Sequence, residues 1–298
     1  EGLSVGISPK SRASTFELDR SFRISPSAMV FSIEARKGGT AREVNFKAGE
    51  IWTQDHYDRM EQGYKKSVLE QLGRLSTGDK PFFLQYWPRY PLTGPRTTTD
   101  QYTTPNGGVY VEKMKLVDQW IGELMTEMDK LGIADNTIVL YSTNNGPHRN
   151  PWPDAGTSPF RNEKNTGWEG AYRIPSFARW PGKIKPGTIS NEILSHLDWL
   201  PTLVAAAGEP QVKEKLLKGY KADGKKYKVH LDGYNFLPYL TGKEKKGPRK
   251  EFFYFSDGGD LMAMRYNNWK VHFMVQDQEG TLEIWQRGFR GLRMPYIF

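Results

Sequence analysis

The sequence holds no cysteine in 298 residues. That excludes disulfides and thiolate metal sites. Histidine is scarce: only His56, His148, His196, His230 and His272 occur, and no two stand at the spacing of a zinc pair. Long apolar runs are absent as well. No stretch reaches the about 18 residues a membrane span needs, and the N-terminus has no apolar core of a signal peptide. There is no Gly-x-Ser-x-Gly elbow, no Walker loop and no dinucleotide fingerprint. These absences remove the thiol, nucleophilic-serine, nucleotide-cradling and zinc-hydrolase classes.

What is there is an ordinary globular profile, with 26% charged and 37% hydrophobic residues. A chain of this length can bury a substantial core. The net charge of +8 would suit an acidic partner such as a sulfated glycan. The lysines of 213–228 and 243–250 are not set among stacking aromatics, so nucleic-acid binding would rest on charge alone, and those lysines read as solvated loops.

Hydrophobic periodicity supplies the elements. Met60, Tyr64, Val68, Leu72 and Leu75 recur at helical spacing across 57–75, and Gly78 with Asp79 breaks the pattern. Tyr110, Met114, Val117, Ile121, Leu124, Met128 and Leu131 form a second helical stripe, ended by Gly132. Short apolar runs at 29–33, 82–87, 138–141 and 174–180 read as strands. Helix and strand in alternation imply crossover units, hence an α/β fold with a mainly parallel sheet flanked by helices. Asp198 is placed to cap a helix with Pro201 in its first turn, Gly208 past its end, and Leu200, Leu203, Val204 and Ala207 on its buried face. Strands at 252–256, 261–266 and 269–274, the last two joined by Asn267-Asn268, give a small C-terminal antiparallel subdomain continuing through 282–285. The domain reading is 1–249 for the α/β domain, with 1–49 poorly defined, and 250–298 for the start of the C-terminal subdomain.

One stretch carries chemistry. After the 138–141 run the chain reads Ser142-Thr143-Asn144-Asn145-Gly146-Pro147-His148, and later Glu163-Lys164-Asn165-Thr166-Gly167-Trp168-Glu169-Gly170-Ala171-Tyr172-Arg173-Ile174-Pro175. Amides, cations, an acid and glycines gather in a segment without apolar periodicity, between two strands. Polar loops at strand ends are where open α/β sheets build their sites, and a connection this long is functional or disordered. Its tryptophans and prolines argue against disorder.

This stretch resembles the sulfatases of the alkaline-phosphatase-like superfamily. Their pattern is Thr-Asp-Asn-Gly after a strand, then Gly-Lys-x-x-x-(Tyr/Trp)-Glu-Gly-Gly-x-Arg-x-Pro, then Trp-Pro-Gly, here Trp180-Pro181-Gly182. Ser195-His196-Leu197-Asp198-Trp199-Leu200-Pro201-Thr202, the run from Leu231-Asp232-Gly233 to Leu240, and Lys80-Pro81-Phe82-Phe83-Leu84 extend it over roughly residues 41–298.

The resemblance implies a sulfuric ester hydrolase of arylsulfatase type with calcium as cofactor, a sulfated small molecule or glycan as partner, and a periplasmic or secreted location. It implies Lys164 as the ammonium on the sulfate oxygens, and Asn144 and Asn145 as metal-binding residues, with Asn144 standing where the family has an aspartate. His148 either faces the pocket or caps a loop. The family's loop histidine has no counterpart between Pro81 and Thr104; Arg89 takes its place in the local pattern, able to hold an anion but not to donate a proton. Glu169 and Arg173 read as a structural pair pinning the loop.

The family nucleophile lies in Cys/Ser-x-Pro/Ala-Ser-Arg. In frame, Ser8 would be that residue, but Lys10 replaces Pro or Ala, and the segment reads as an exposed basic loop. The expectation is a partial chain whose catalytic set is incomplete. The alternatives are a non-catalytic relative that binds anionic ligands, and a phosphodiesterase or phosphonate hydrolase of the same superfamily.

Overall fold

The structure is a computed structural model. It describes residues 54–91, 108–147, 158–276 and 287–298. The strand expected at 29–33, the Ser8 segment, the strand at 282–285 and His148 lie outside those residues. The chain divides into two units, Glu1–Ala134 and Asp135–Phe298.

In the first unit the two helical stripes form as read. Helix α1 spans Gln54–Ser76 and buries Tyr57, Met60, Tyr64, Val68 and Leu72. Helix α2 spans Gly108–Lys130 and buries Val117, Trp120 and Met128. Its buried face differs from the expected one: Met114 is exposed, whereas Lys113 is buried because its ammonium reaches Asp58 Oδ2 at 2.8 Å. Tyr90 fills the space between the helices, its ring 5.8 Å from Tyr57 and 5.2 Å from Trp120. Residues 82–87 are a correction. They form no strand beyond a single bridge residue, Leu84, and Phe83 and Trp87 are half or more exposed.

A 3-10 turn, Ala134–Asn136, leads into strand β1, Val139–Ser142, the first strand of the second unit. A long loop containing the four-residue helix α3, Glu169–Tyr172, returns the chain to strand β2, Ser176–Arg179. The two strands pair antiparallel, from Val139 opposite Arg179 to Ser142 opposite Ser176. The mainly parallel sheet is therefore not what the described residues show: every strand pairing among them is antiparallel. The cause is local. The loop brings the chain back along β1 instead of crossing over to a parallel neighbour.

Ser195 caps the 3-10 turn His196–Asp198, which runs into helix α4, Trp199–Ala206; Gly208 follows at φ +101°. Here the buried side chains are Pro201, Thr202 and Ala205, and Leu200 is 54% exposed, so the apolar face is rotated from the expected one. Asp198 does not cap α4 with its side chain. It is fully buried, accepts from the backbone amides of Ser195 and Tyr234 at 2.7 Å each, and takes Arg249 as a two-pronged partner, Nη2 to Oδ1 at 2.7 Å and Nε to Oδ2 at 2.9 Å.

Helix α5, Val212–Lys218, and the hairpin of β3, Tyr220–Ala222, and β4, Lys225–Tyr227, follow, then the short α6, Leu237–Leu240. The chain closes on a four-stranded antiparallel sheet in the order β5-β6-β7-β8. Its strands are β5 Glu251–Phe255, β6 Leu261–Tyr266, β7 Trp269–Val275 and β8 Arg290–Ile297. The β6–β7 turn uses Asn267 at φ +51°, a left-handed conformation that asparagine accepts. Tyr254, Met262 and Ala263 form a buried cluster on this sheet.

Candidate functional site

The end of β1 delivers the amide turn. Ser142 is the last strand residue, and Thr143 Oγ1 donates to the Asn145 carbonyl at 3.2 Å. The Asn145 side-chain Nδ2 donates to Gly146 O at 2.7 Å. Asn144 is exposed.

The loop that carries Lys164 is built on asparagines. Asn162 and Asn165 stand at φ +63° and +68°, and Asn162 Oδ1 accepts from the Glu163 amide at 3.0 Å. Thr166 Oγ1 donates back to Glu163 O at 2.7 Å. Backbone ties then dock this loop on the amide turn: Lys164 N donates to Pro147 O at 2.8 Å, and Gly146 N to Ala171 O at 2.7 Å. The approach is so close that a Cβ on Gly146 would meet Gly170 O at 1.8 Å, and one on Gly170 would meet Asn162 O at 1.9 Å. Both positions thus need glycine for space rather than for torsion.

The docked pieces open on one concavity of about 2410 Å³, whose lining includes Asn144, Asn145, Lys164, Glu169, Arg173 and His196. That is well above the roughly 300–1,000 Å³ of a pocket shaped for one small ligand, so the feature is an open cleft. Ser142 Oγ and His196 Nε2 lie 3.0 Å apart on its lining. The cleft lining includes Arg173, Lys213, Lys246 and Lys250 together with the acids Glu192, Asp232, Glu251 and Asp257, so the lining carries charge of both signs.

Of the residues singled out from the sequence, Asn144, Asn145 and Lys164 are brought to the same cleft. Arg89 belongs to the first unit; its side chain is exposed and its backbone amide donates to Glu61 Oε2 at 3.0 Å. Glu169 and Arg173 do approach, at 3.8 Å, but this is the weakest of the contacts Glu169 makes. Its carboxylate accepts from Tyr254 Oη at 2.7 Å, Lys270 Nζ at 2.9 Å and Arg265 Nη2 at 3.2 Å. Burial pushes this carboxyl up, yet Lys270, Tyr254 and Arg265 together hold it below the usual range. Sequence reasoning missed Lys270 and its neighbours. A signal was present: strand alternation puts Lys270 and His272 on one face of β7, and both are buried there.

A divalent cation is implied by the resemblance, and hard cations take several oxygen donors including carboxylates. At the amide turn the described donors are two neutral amides, Asn144 and Asn145, and the carboxylates that line the cleft, such as Glu169, Glu192 and Asp257, do not gather into a metal-holding group. No group of three or more histidines, aspartates or glutamates able to hold a metal occurs among the described residues. The described donor set by itself does not fit calcium.

The sulfatase family model matches residues 31–209. Human arylsulfatase A is 33% identical over 223 residues, covering 73% of this chain and 40% of that protein. Human N-acetylgalactosamine-6-sulfatase is 30% identical over 234 residues, covering 77% of this chain and 40% of its own length. Among solved structures, the PsFucS1 sulfatase from Pseudoalteromonas sp. superposes with a TM-score of 0.68 at 25% identity, covering 89% of this chain and 50% of that one. The chain thus spans about 40% of the length of these curated relatives.

Proposed function

The chain belongs to the sulfatase family, and from that premise we propose that it forms the substrate-facing part of an arylsulfatase-like sulfuric ester hydrolase, with Lys164 and the 144–146 turn as the sulfate-holding group. A solved sulfatase, PsFucS1, shares its fold, and the alkaline-phosphatase-like architecture that the resemblance implies belongs to the same proposal. The observation that carries the reading is the 2.8 Å hydrogen bond from Lys164 N to Pro147 O, which sets the lysine and the amide turn on the rim of one cleft.

The chemistry follows from charge. Cleaving a sulfate ester moves negative charge onto the departing oxygen, and donors fixed in advance lower that barrier. The Lys164 ammonium supplies a full positive charge on the sulfate oxygens, and the Asn144 amide adds a neutral donor. His148 would supply a proton for the leaving oxygen, and Arg89 is kept as a candidate anion-holding cation by the family pattern alone. Asn144 and Asn145 would hold a calcium ion only together with a cluster of carboxylates, and the described residues show none at this turn. A sulfated small molecule or glycan is the substrate class, and a periplasmic or secreted location belongs to the same proposal. Among the described residues no helix is long and apolar enough to cross a membrane.

A second reading is favoured by one observation: an amide, Asn144, stands where the family has an acid. In that reading the chain binds anions without turning them over. The two separate in one experiment. A chromogenic aryl sulfate, and an aryl phosphate beside it, are incubated with the chain and calcium, and sulfate binding is followed by calorimetry. The hydrolase reading expects aryl sulfate turnover that Lys164→Ala lowers by about 10²-fold, the size of losing one preorganised donor. Sulfate binding abolished by Lys164→Ala without turnover selects the second reading. Absence of both turnover and binding refutes the site.

A further inference from the structure

The loop bearing Lys164 has little regular structure of its own, only the four residues of α3. Its amide-turn side is held by backbone bonds, as described. The opposite side rests on the four-stranded sheet, and the fastening there is unusual in kind. Lys270 leaves β7 with its side chain only 5% exposed. Its Nζ donates to Gly167 O at 2.7 Å and to Glu169 Oε1 at 2.9 Å. The same nitrogen lies 3.6 Å from the centroid of the Tyr254 ring. An ammonium has three hydrogens, and three groups lie within reach of this one: a carbonyl, a carboxylate and a ring face.

An apolar side chain would pack a loop on a sheet without the desolvation cost of a buried cation. A lysine at this place does something an apolar residue cannot. It ties a backbone carbonyl three positions after Lys164, and the acid of α3, to a single rigid strand. The surroundings reinforce the tie. Trp168 lies against the His272 ring at 4.1 Å and meets Phe298 at 5.4 Å. Arg161 covers the Trp168 ring at 3.7 Å. Glu169 itself lines the cleft with Lys164.

We propose that Lys270 is a positioning residue: through Gly167 and Glu169 it holds the 163–169 loop so that Lys164 presents its ammonium to the anion in the cleft. This rests on the sulfate-binding reading above for its functional consequence, but not for the clamp itself. The clamp works while Lys270 is charged. Burial lowers its pKa to about 8, although Glu169 pulls the other way. The other charged or titratable groups facing it are Glu169 from α3, Tyr254 from β5, Arg265 from β6 and His272 on β7. His272 is pushed down to about 4 by burial and then by Lys270, so it stays neutral near pH 7. Above pH 8 the neutral amine gives up its charged bond to Glu169, and the loop loosens.

The test uses the full chain with inorganic sulfate, in wild type, Lys270→Met, Lys270→Arg and Lys164→Ala. Amide hydrogen exchange across 163–172 reads the clamp, and calorimetric sulfate affinity between pH 6.5 and 9.5 reads its consequence. Lys270→Met is expected to speed exchange in 163–172 about tenfold, the scale of one lost charged hydrogen bond, with β1 and α4 unchanged. It should also weaken sulfate binding by about tenfold at pH 7. Wild-type affinity should fall through pH 8, and Lys270→Arg, which keeps its charge, should hold affinity to pH 9. Unchanged exchange in Lys270→Met overturns the clamp, whatever the affinity does. Faster exchange together with unaltered affinity and pH profile overturns the positioning role. If wild type binds no sulfate, the functional reading fails while the exchange result still decides the clamp.

Discussion

Two enclosed glutamates, Glu61 in the first unit and Glu169 in the second, receive opposite treatment. Glu61 in α1 is fully buried, yet the hydrogen bond it makes is to the backbone amide of Arg89, and its Oε1 has no partner. Burial pushes its carboxyl up to about 7. Glu169 in α3 is nearly as enclosed, at 17% exposure, but Lys270, Arg265 and the Tyr254 hydroxyl converge on it, and its carboxyl lies below the usual range. A third carboxylate, Asp198, is buried with both oxygens engaged by Arg249. The comparison shows what a buried acid can be used for. Bonded directly to cations, it becomes a fixed joint between distant segments; without a direct ion pair, and with burial outweighing the nearby Arg89 charge, it becomes a group that titrates near neutrality.

The sharpest way to break the comparison is to turn a supplied acid into an unsupplied one. Arg249→Met would leave Asp198 charged, buried and uncompensated, and is expected to cost about 3–5 kcal/mol of stability in urea unfolding. A loss below 1 kcal/mol would mean the pair contributes no more than a surface contact.

The reverse operation is Glu61→Gln. The folded pKa of Glu61 lies above the unfolded value of 4.5, so the fold binds a proton the unfolded chain releases between pH 4.5 and 7. Its stabilising contribution is therefore complete below pH 4.5 and lost as pH rises through 7. Glutamine keeps the neutral form at every pH, so Glu61→Gln is expected to raise stability by roughly 1–3 kcal/mol at pH 8 and to change it little at pH 5. Thermal melts of the α1–α2 unit's signal at the two pH values check this. Glu169 has the opposite sign: its contribution is present above 4.5 and fades as acid drives its lowered folded pKa.

The smallest expected effect sharpens the Glu169 side. Tyr254→Phe removes one of its donors and keeps the ring under Lys270. A loss of about 1 kcal/mol is expected, since the remaining cations stay in place. The acid limb of the stability curve should move toward higher pH, which a pH series of melts reads directly.

How much of this could be read from the residues depends on how local its cause is. The stripes at Met60, Tyr64, Val68 and Leu72, and the Asn267-Asn268 turn, are local, and the elements formed where they pointed. The docking of Lys164 beside Asn144 and Asn145 was visible through family motifs. The parallel sheet was not borne out among the described strands, because periodicity marks a strand without naming its partner. The role of Asp198 was misread for a related reason. Its local context favours a cap, but its partner Arg249 lies 51 positions away and the ion pair wins. Lys270 is the extreme case: Gly167 is 103 positions earlier, so nothing beside it in the chain reveals the bond.

The central claim is that Lys164 and the Asn144-Asn145-Gly146 turn serve a single anion. Titrating inorganic sulfate into the isotope-labelled chain, and following the side-chain amides of Asn144 and Asn145 and the backbone amide of Gly146, tests it most directly. The account expects these signals to move together, to saturate with one affinity, and to stop moving in Lys164→Ala. Shifts that do not saturate, or that persist unchanged in Lys164→Ala, would contradict it.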